Sequence, residues 1–236
     1  MKISTVKIKP EEFKKWNESM LDKYDPDSFH HHYNPLVRYI ERKRVKAIFK
    51  LIDIHSRDRV IEVGCGAGNV IERAPCGILF GMDLSETILN KAKKRMNKEA
   101  FLLQGDAQNL PYRDRIFERV ICSEVLEHIL DPSTALKEIA RVLKNQGIAV
   151  VSFPNESLIN CIKTLLIRLG IFKWLFQEKG DYQAMPEKME DEWHLHALSL
   201  REWLDLFGKL FRVCRMKRIP FWFLPLRYVI SIEKLE

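Results

Sequence analysis

The chain has 236 residues, 46% of them apolar, and a formal net charge of +7. That suits one α/β domain with a small cap and a sizeable core, and it admits a nucleic-acid or anionic-membrane partner without requiring one. The scattered Cys65, Cys76, Cys122, Cys161 and Cys214 contain no C-x-x-C pair; this argues against a zinc knuckle or a disulfide framework and fits a reducing cytoplasm, while no apolar run approaches the roughly 20 residues of a membrane span.

In chain order, Pro10 to Asp22 reads as a short helix and Tyr24 to Asn34 as a polar loop with His30, His31 and His32 in succession. Adjacent side chains share no face of a helix or strand, so this triplet is a poor metal set. A loop near the mouth of a site could instead offer His32 or Tyr33 to a substrate. Pro35 suits the first position of a helix running to about Leu51. Its apolar stripe is Leu36, Val37, Ile40, Ala47, Ile48 and Leu51, and Arg38, Arg42, Lys43, Lys46 and Lys50, mostly on the other side, read as a solvated basic face, with an anionic partner surface as the second reading.

Residues 60–70, VIEVGCGAGNV, organise the rest. Val60, Ile61 and Val63 make a buried parallel strand. Gly64, Gly66 and Gly68 let the backbone turn and approach a ligand closely. Asn69 onward is expected to enter a helix whose first N–H groups face that ligand. A dinucleotide loop wants G-x-G-x-x-G; here Gly68 comes one place early, and Glu62 is out of character beside a pyrophosphate. A plain glycine-rich turn is the third reading.

A second strand, Gly77 to Asp83, ends in a carboxylate able to accept from a ribose diol. Ser85 is placed to cap the helix carrying Ile88, Leu89, Ala92 and Met96. A third strand runs from Phe101 to Asp106 and a fourth from Phe117 to Ser123. Asp131-Pro132 opens another helix, Asn145 to Gly147 turns, and Ile148 to Phe153 is the fifth strand. Glu156 to Leu169 has its apolar residues in one helical arc, ended by Gly170. Ile171 to Phe176 reads as a lid over an apolar substrate, with core packing and membrane contact as the other readings. Gly180 to Asp191 is a polar loop, Trp193 to His196 is extended, Ser199 caps Leu200 to Phe207, and Phe211 to Ile219 with Arg227 to Ile232 form a terminal hairpin.

Four segments, VIEVGCGAG, GMDLS, GDAQNLPY and ICSEVLEHI, stand in an order that resembles the type 11 class I S-adenosylmethionine-dependent methyltransferases, over residues 60–155. The resemblance implies a Rossmann-like seven-stranded sheet with helices on both faces and its last strand antiparallel. The expected layout is an N-terminal helical cap over 1–50 and a methyltransferase domain over 51–236, with a substrate-lid insertion at 155–193. It implies S-adenosylmethionine as cofactor, held by Glu62, Gly64, Cys65, Gly66, Gly68, Asp83, Leu84, Asp106, Ala107, Ser123 and Glu124. His128, after the fourth strand, is the candidate base. His194 and His196 match loosely a substrate-facing stretch of the family, and strand alternation would put both on one face; a metal pair there lacks an identified third ligand, so no metal is expected. With His32 and Tyr33, Asn155 completes the candidate substrate residues. Many base-amino methyltransferases carry an Asn or Asp, two prolines and an aromatic after the fourth strand to hold a flipped base. Ser123, Glu124, Val125 and Leu126 stand there instead. The expected acceptor is therefore a small hydrophobic molecule rather than tRNA or rRNA, the expected assembly a monomer or homodimer.

Overall fold

The computed structural model describes residues 8–25, 27–176 and 193–235. Seven strands form one sheet in the order β3-β2-β1-β4-β5-β7-β6. They are β1 (Arg59–Val63), β2 (Ile78–Asp83), β3 (Ala100–Gln104), β4 (Phe117–Ser123), β5 (Leu143–Pro154), β6 (Phe211–Pro220) and β7 (Pro225–Lys234). β1 to β5 pair in parallel, and β7 runs antiparallel to both β5 and β6. Strand order reverses between β1 and β4, which opens a crevice beyond their carboxyl ends.

A parallel sheet must be covered on both faces. Strand alternation sends Ile61, Val63, Val120, Cys122 and Val151 into a core with α5 (Pro132–Val142) and α8 (Leu200–Phe207). It sends Val60, Leu79, Ile121, Val150 and Val229 into a second core with α3 (Pro35–Ile52). Asn34 caps α3 by accepting from Leu36 N–H, and Asp53, at φ 51°, ends it. The last turns of α3 are thus a layer of the sandwich. Upstream, α1 (Pro10–Lys23) and α2 (Ser28–His31) contribute Phe13, Asn17 and His30 to the wall of the crevice. α4 (Glu86–Arg95) is capped by the Ser85 hydroxyl as expected. α6 (Glu156–Arg168) and α7 (Phe172–Phe176) leave β5 at the same end, separated by Gly170 at φ 70°. Among the described residues no helix is long and apolar enough to cross a membrane.

Three local expectations need correction. No α-helix follows the glycine loop; a single 3-10 turn, Ile71–Arg73, stands there, with Arg73 N–H donating to the Val70 carbonyl. Pro75 disfavours helical backbone at Ala74, so the turn cannot propagate. The stretch from Tyr24 to Asn34 contains α2 and is not all loop. β5 already starts at Leu143, paired with Phe117, and Asn145 to Gly147 is an irregularity inside it, with Gln146 at φ 61°. The polar loop expected at 180–191 lies outside the described residues.

Candidate active site

The glycine loop is bent onto β2: the N–H groups of Gly64 and Cys65 both donate to the Met82 carbonyl, at 2.7 and 2.9 Å. Gly66 N–H then donates to Asp83 Oδ2 at 2.8 Å, and Ser85 N–H donates to Oδ1 at 3.0 Å. Asp83 therefore ties together the loop and the start of α4 while facing the crevice. Burial pushes its pKa up, against the pull of the Ser85 and Gly66 donors. The crevice is a cavity of about 580 Å³, within the usual range of small-molecule sites. Glu62, Gly64, Cys65, Gly66, Asp83, Leu84, Asp106, Ala107, Ser123 and Glu124 all border it.

Gly68 does not border it. At φ 80° it lies over Ala92 and Met96, so its lack of a side chain serves packing against α4. Glu62 gives one oxygen to Ile71 N–H at 2.8 Å, and burial raises its pKa to about 8. Asp106 accepts from Gln108 N–H at 2.8 Å and lies 3.3 Å from the Gln108 amide nitrogen. Glu124 adopts φ 57° directly after β4, and its N–H donates to the Ser152 carbonyl. That backbone aims its side chain at the Ser152 hydroxyl and at Arg227, 2.9 Å from each.

At the other end stand His128 and His194. His128 Nδ1 is 3.2 Å from the Trp193 carbonyl. A carbonyl only accepts, so Nδ1 carries the proton and Nε2 the lone pair. Burial, then the nearby His194, hold its pKa well below the ordinary value. His194 Nδ1 meets Glu156 Oε1 at 2.7 Å, and the two imidazole rings lie 4.7 Å apart. His196 is separated from His194: its Nε2 donates to the Ile129 carbonyl at 2.8 Å, and it is not part of the cavity wall. The cause is backbone pairing, because the N–H groups of Leu195 and His196 both donate to the Glu127 carbonyl and break regular alternation. His32 and Tyr33 also miss the wall. His32 Nδ1 accepts from Asn34 N–H, and the Tyr33 hydroxyl donates to the Leu175 carbonyl at 3.1 Å. Asn155 caps α6 and donates to the Pro225 carbonyl, a structural post outside the cavity.

Residues 61–151 match the family model described as a methyltransferase domain. That stretch is a class I methyltransferase domain of the type 11 family. The chain is 34% identical over 112 residues to a demethylmenaquinone methyltransferase of Lactobacillus johnsonii, a match covering 43% of this chain and 46% of that protein. The chain thus spans about half the length of this relative. Among solved structures, a methyltransferase bound to the Haloferax volcanii activator Trm112 shares the fold with a TM-score of 0.66 at 17% identity, over 95% of this chain and 98% of that one. The N-methyltransferase NodS of Bradyrhizobium japonicum, solved with S-adenosylhomocysteine, gives a TM-score of 0.64 at 15% identity, over 95% and 100%.

The cavity wall also has residues that sequence reasoning missed. Glu41 and Arg44 form a buried ion pair, Arg44 donates to the Ser123 hydroxyl, and Arg227 lies 3.5 Å from Glu41. Burial pushes Glu41 up, but Arg44, Arg227 and His30 overcome it and hold its pKa at about 2. Burial takes His30 down to about 4, against the pull of Glu41. One signal was available: Glu41 and Arg44 fall on the stripe of Val37, Ile40 and Ile48, and charges on an apolar stripe are buried charges.

Proposed function

We propose that this chain transfers a methyl group from S-adenosylmethionine to a small hydrophobic acceptor by in-line displacement. The observation that carries the reading is the single cavity joining the glycine loop and Asp83 to an apolar wall of Ile159, Ile162, Leu166, Leu175 and Phe176. The cofactor's ribose hydroxyls belong at Asp83, its adenine at Asp106 and Ala107, and its ammonium near Gly64, Cys65 and Glu62. The sulfonium methyl then faces the end lined by His128 and His194. In the reaction the S–CH₃ bond breaks as the bond to the acceptor forms, leaving adenosylhomocysteine. Alignment of the reactants is worth about 7–11 kcal/mol in such a step. An acceptor hydroxyl must also lose its proton, and the Nε2 lone pair of His128 is oriented to receive it, worth roughly 10²–10⁴-fold.

The lid reading draws support from the Tyr33 hydroxyl and the Asn34 amide, which both donate to the Leu175 carbonyl and tie α7 to the segment before α3. The named activity of the Lactobacillus relative places a quinone precursor among the acceptors to test. The test is adenosylhomocysteine release in a screen of phenols, quinone precursors, lipids and tRNA. Turnover with a small phenolic or quinone-like compound is the expected result; robust methylation of tRNA alone would overturn the small-molecule reading.

A further inference from the structure

The strongest unexplained feature is Glu127. It is 1% exposed, and neither carboxylate oxygen has a hydrogen-bond partner. A buried carboxylate without donors is costly unless a proton or a cation meets it. Arg227, the nearby guanidinium, is taken up by Glu124 and Glu41. Its other charged neighbours are the carboxylates Glu124 and Glu156, and beside it stands a pair of imidazoles.

We propose that Glu127, His128 and His194 form a binding site for a divalent transition-metal ion at the acceptor end of the cavity. One ligand atom from each lies within 4.8 Å of the others. In a tetrahedral site two bonds of about 2.1 Å set ligand atoms about 3.4 Å apart, so from the 4.8 Å spread the set closes on an ion by side-chain movement of roughly 1.4 Å across its widest pair. On both imidazoles the Nδ1 already has a partner. His128 Nδ1 is held by the Trp193 carbonyl and His194 Nδ1 by Glu156, which turns each Nε2 lone pair free. A carbonyl or carboxylate on the far nitrogen is the arrangement that accompanies metal-ligating histidines. The frame is fixed too: Leu195 N–H donates to the Glu127 carbonyl at 2.7 Å, pinning the segment that carries His194 to the turn that carries Glu127 and His128.

Two imidazoles and one carboxylate suit zinc, iron(II) or manganese better than magnesium or calcium, and three protein ligands leave positions open. The open side is the cavity bordered by all three residues. On the methyltransferase reading, on which this clause rests, the ligand for the open position is an acceptor hydroxyl. Coordination lowers its pKa, the proton leaves to bulk water, and the oxygen forms the O–CH₃ bond as the S–CH₃ bond breaks. His128 then acts through the ion and not as a free base.

The experiment strips the protein with a chelator and titrates it calorimetrically with Zn²⁺ and with Mn²⁺. One equivalent should bind, and Glu127→Gln and His194→Ala should each weaken it by about 100-fold or more. Co²⁺ added to the stripped parent should give visible bands of a nitrogen- and oxygen-ligated site, a readout that needs no variant to fold. Adenosylhomocysteine affinity, measured on all three proteins, should be unchanged. Its loss from the parent would sink the methyltransferase reading and leave the metal site standing. A parent that takes up no ion and gives no cobalt bands overturns the proposal, as do folded variants that bind the ion like the parent.

Discussion

Asp83→Asn is the sharpest test of the cofactor end of the site. The substitution keeps size and one carbonyl oxygen but removes the charge and turns one acceptor into a donor. In the parent, Oδ2 takes the Gly66 N–H and Oδ1 the Ser85 N–H, so the carboxylate reaches a ribose with its remaining lone pairs. Losing a charged acceptor for the diol removes about 1.5–3 kcal/mol, which corresponds to roughly 10- to 150-fold weaker binding. The effect on folding is smaller. One backbone donor loses its acceptor, but burial had already raised the pKa of this carboxyl, so removing the charge relieves part of that cost. Calorimetry with adenosylhomocysteine near neutral pH measures the first quantity and urea unfolding the second. An affinity within twofold of the parent, in a protein that unfolds at a similar urea concentration, would remove Asp83 from the cofactor site.

Gly64→Ala and Gly66→Ala should separate folding from binding. A Cβ at Gly64 would sit 2.3 Å from Val125 Cγ2 at φ 70°, whereas one at Gly66 meets only Ile88 Cδ1, at 3.8 Å. The first should lose about 1–3 kcal/mol of stability by overpacking; the second, at φ 51°, should lose only the left-handed backbone strain of about 1–2 kcal/mol and should lose adenosylhomocysteine binding. Arg44→Leu leaves Glu41 buried with less countercharge and should cost about 3–5 kcal/mol in chemical denaturation; a loss below 1 kcal/mol would mean Arg227 alone suffices. Glu62, with its pKa raised to about 8 by burial, binds more protons folded than unfolded between its ordinary range and about 8, so stability falls as pH rises through that window. Glu62→Gln should flatten that fall in unfolding midpoints taken from pH 5 to pH 8. Replacing residues 171–176 by a Gly/Ser linker should spare adenosylhomocysteine affinity and abolish turnover; full turnover would end the lid reading.

Strand and loop order was written in local patterns. The apolar runs of β1, β4 and β5, the glycines after β1 and the carboxylates closing β2 and following β3 can each be read within a dozen residues, because a buried parallel strand and a glycine turn impose their own composition. Ser85 and Ser199 as caps were legible for the same reason. Most of what stayed hidden depends on residues far apart in the chain, the stop at Pro75 being the local exception. Pro75 cut short the helix after the glycine loop, and the pairing of Leu195 and His196 with the Glu127 carbonyl split two histidines that alternation would have kept together. The same pairing brought His194 to Glu127 and His128, while α3 carried Glu41 and Arg44 beneath Ser123. Periodicity reports which face of its own element a side chain occupies. Which partner it meets there is set by how the elements dock, and only the tertiary structure decides that.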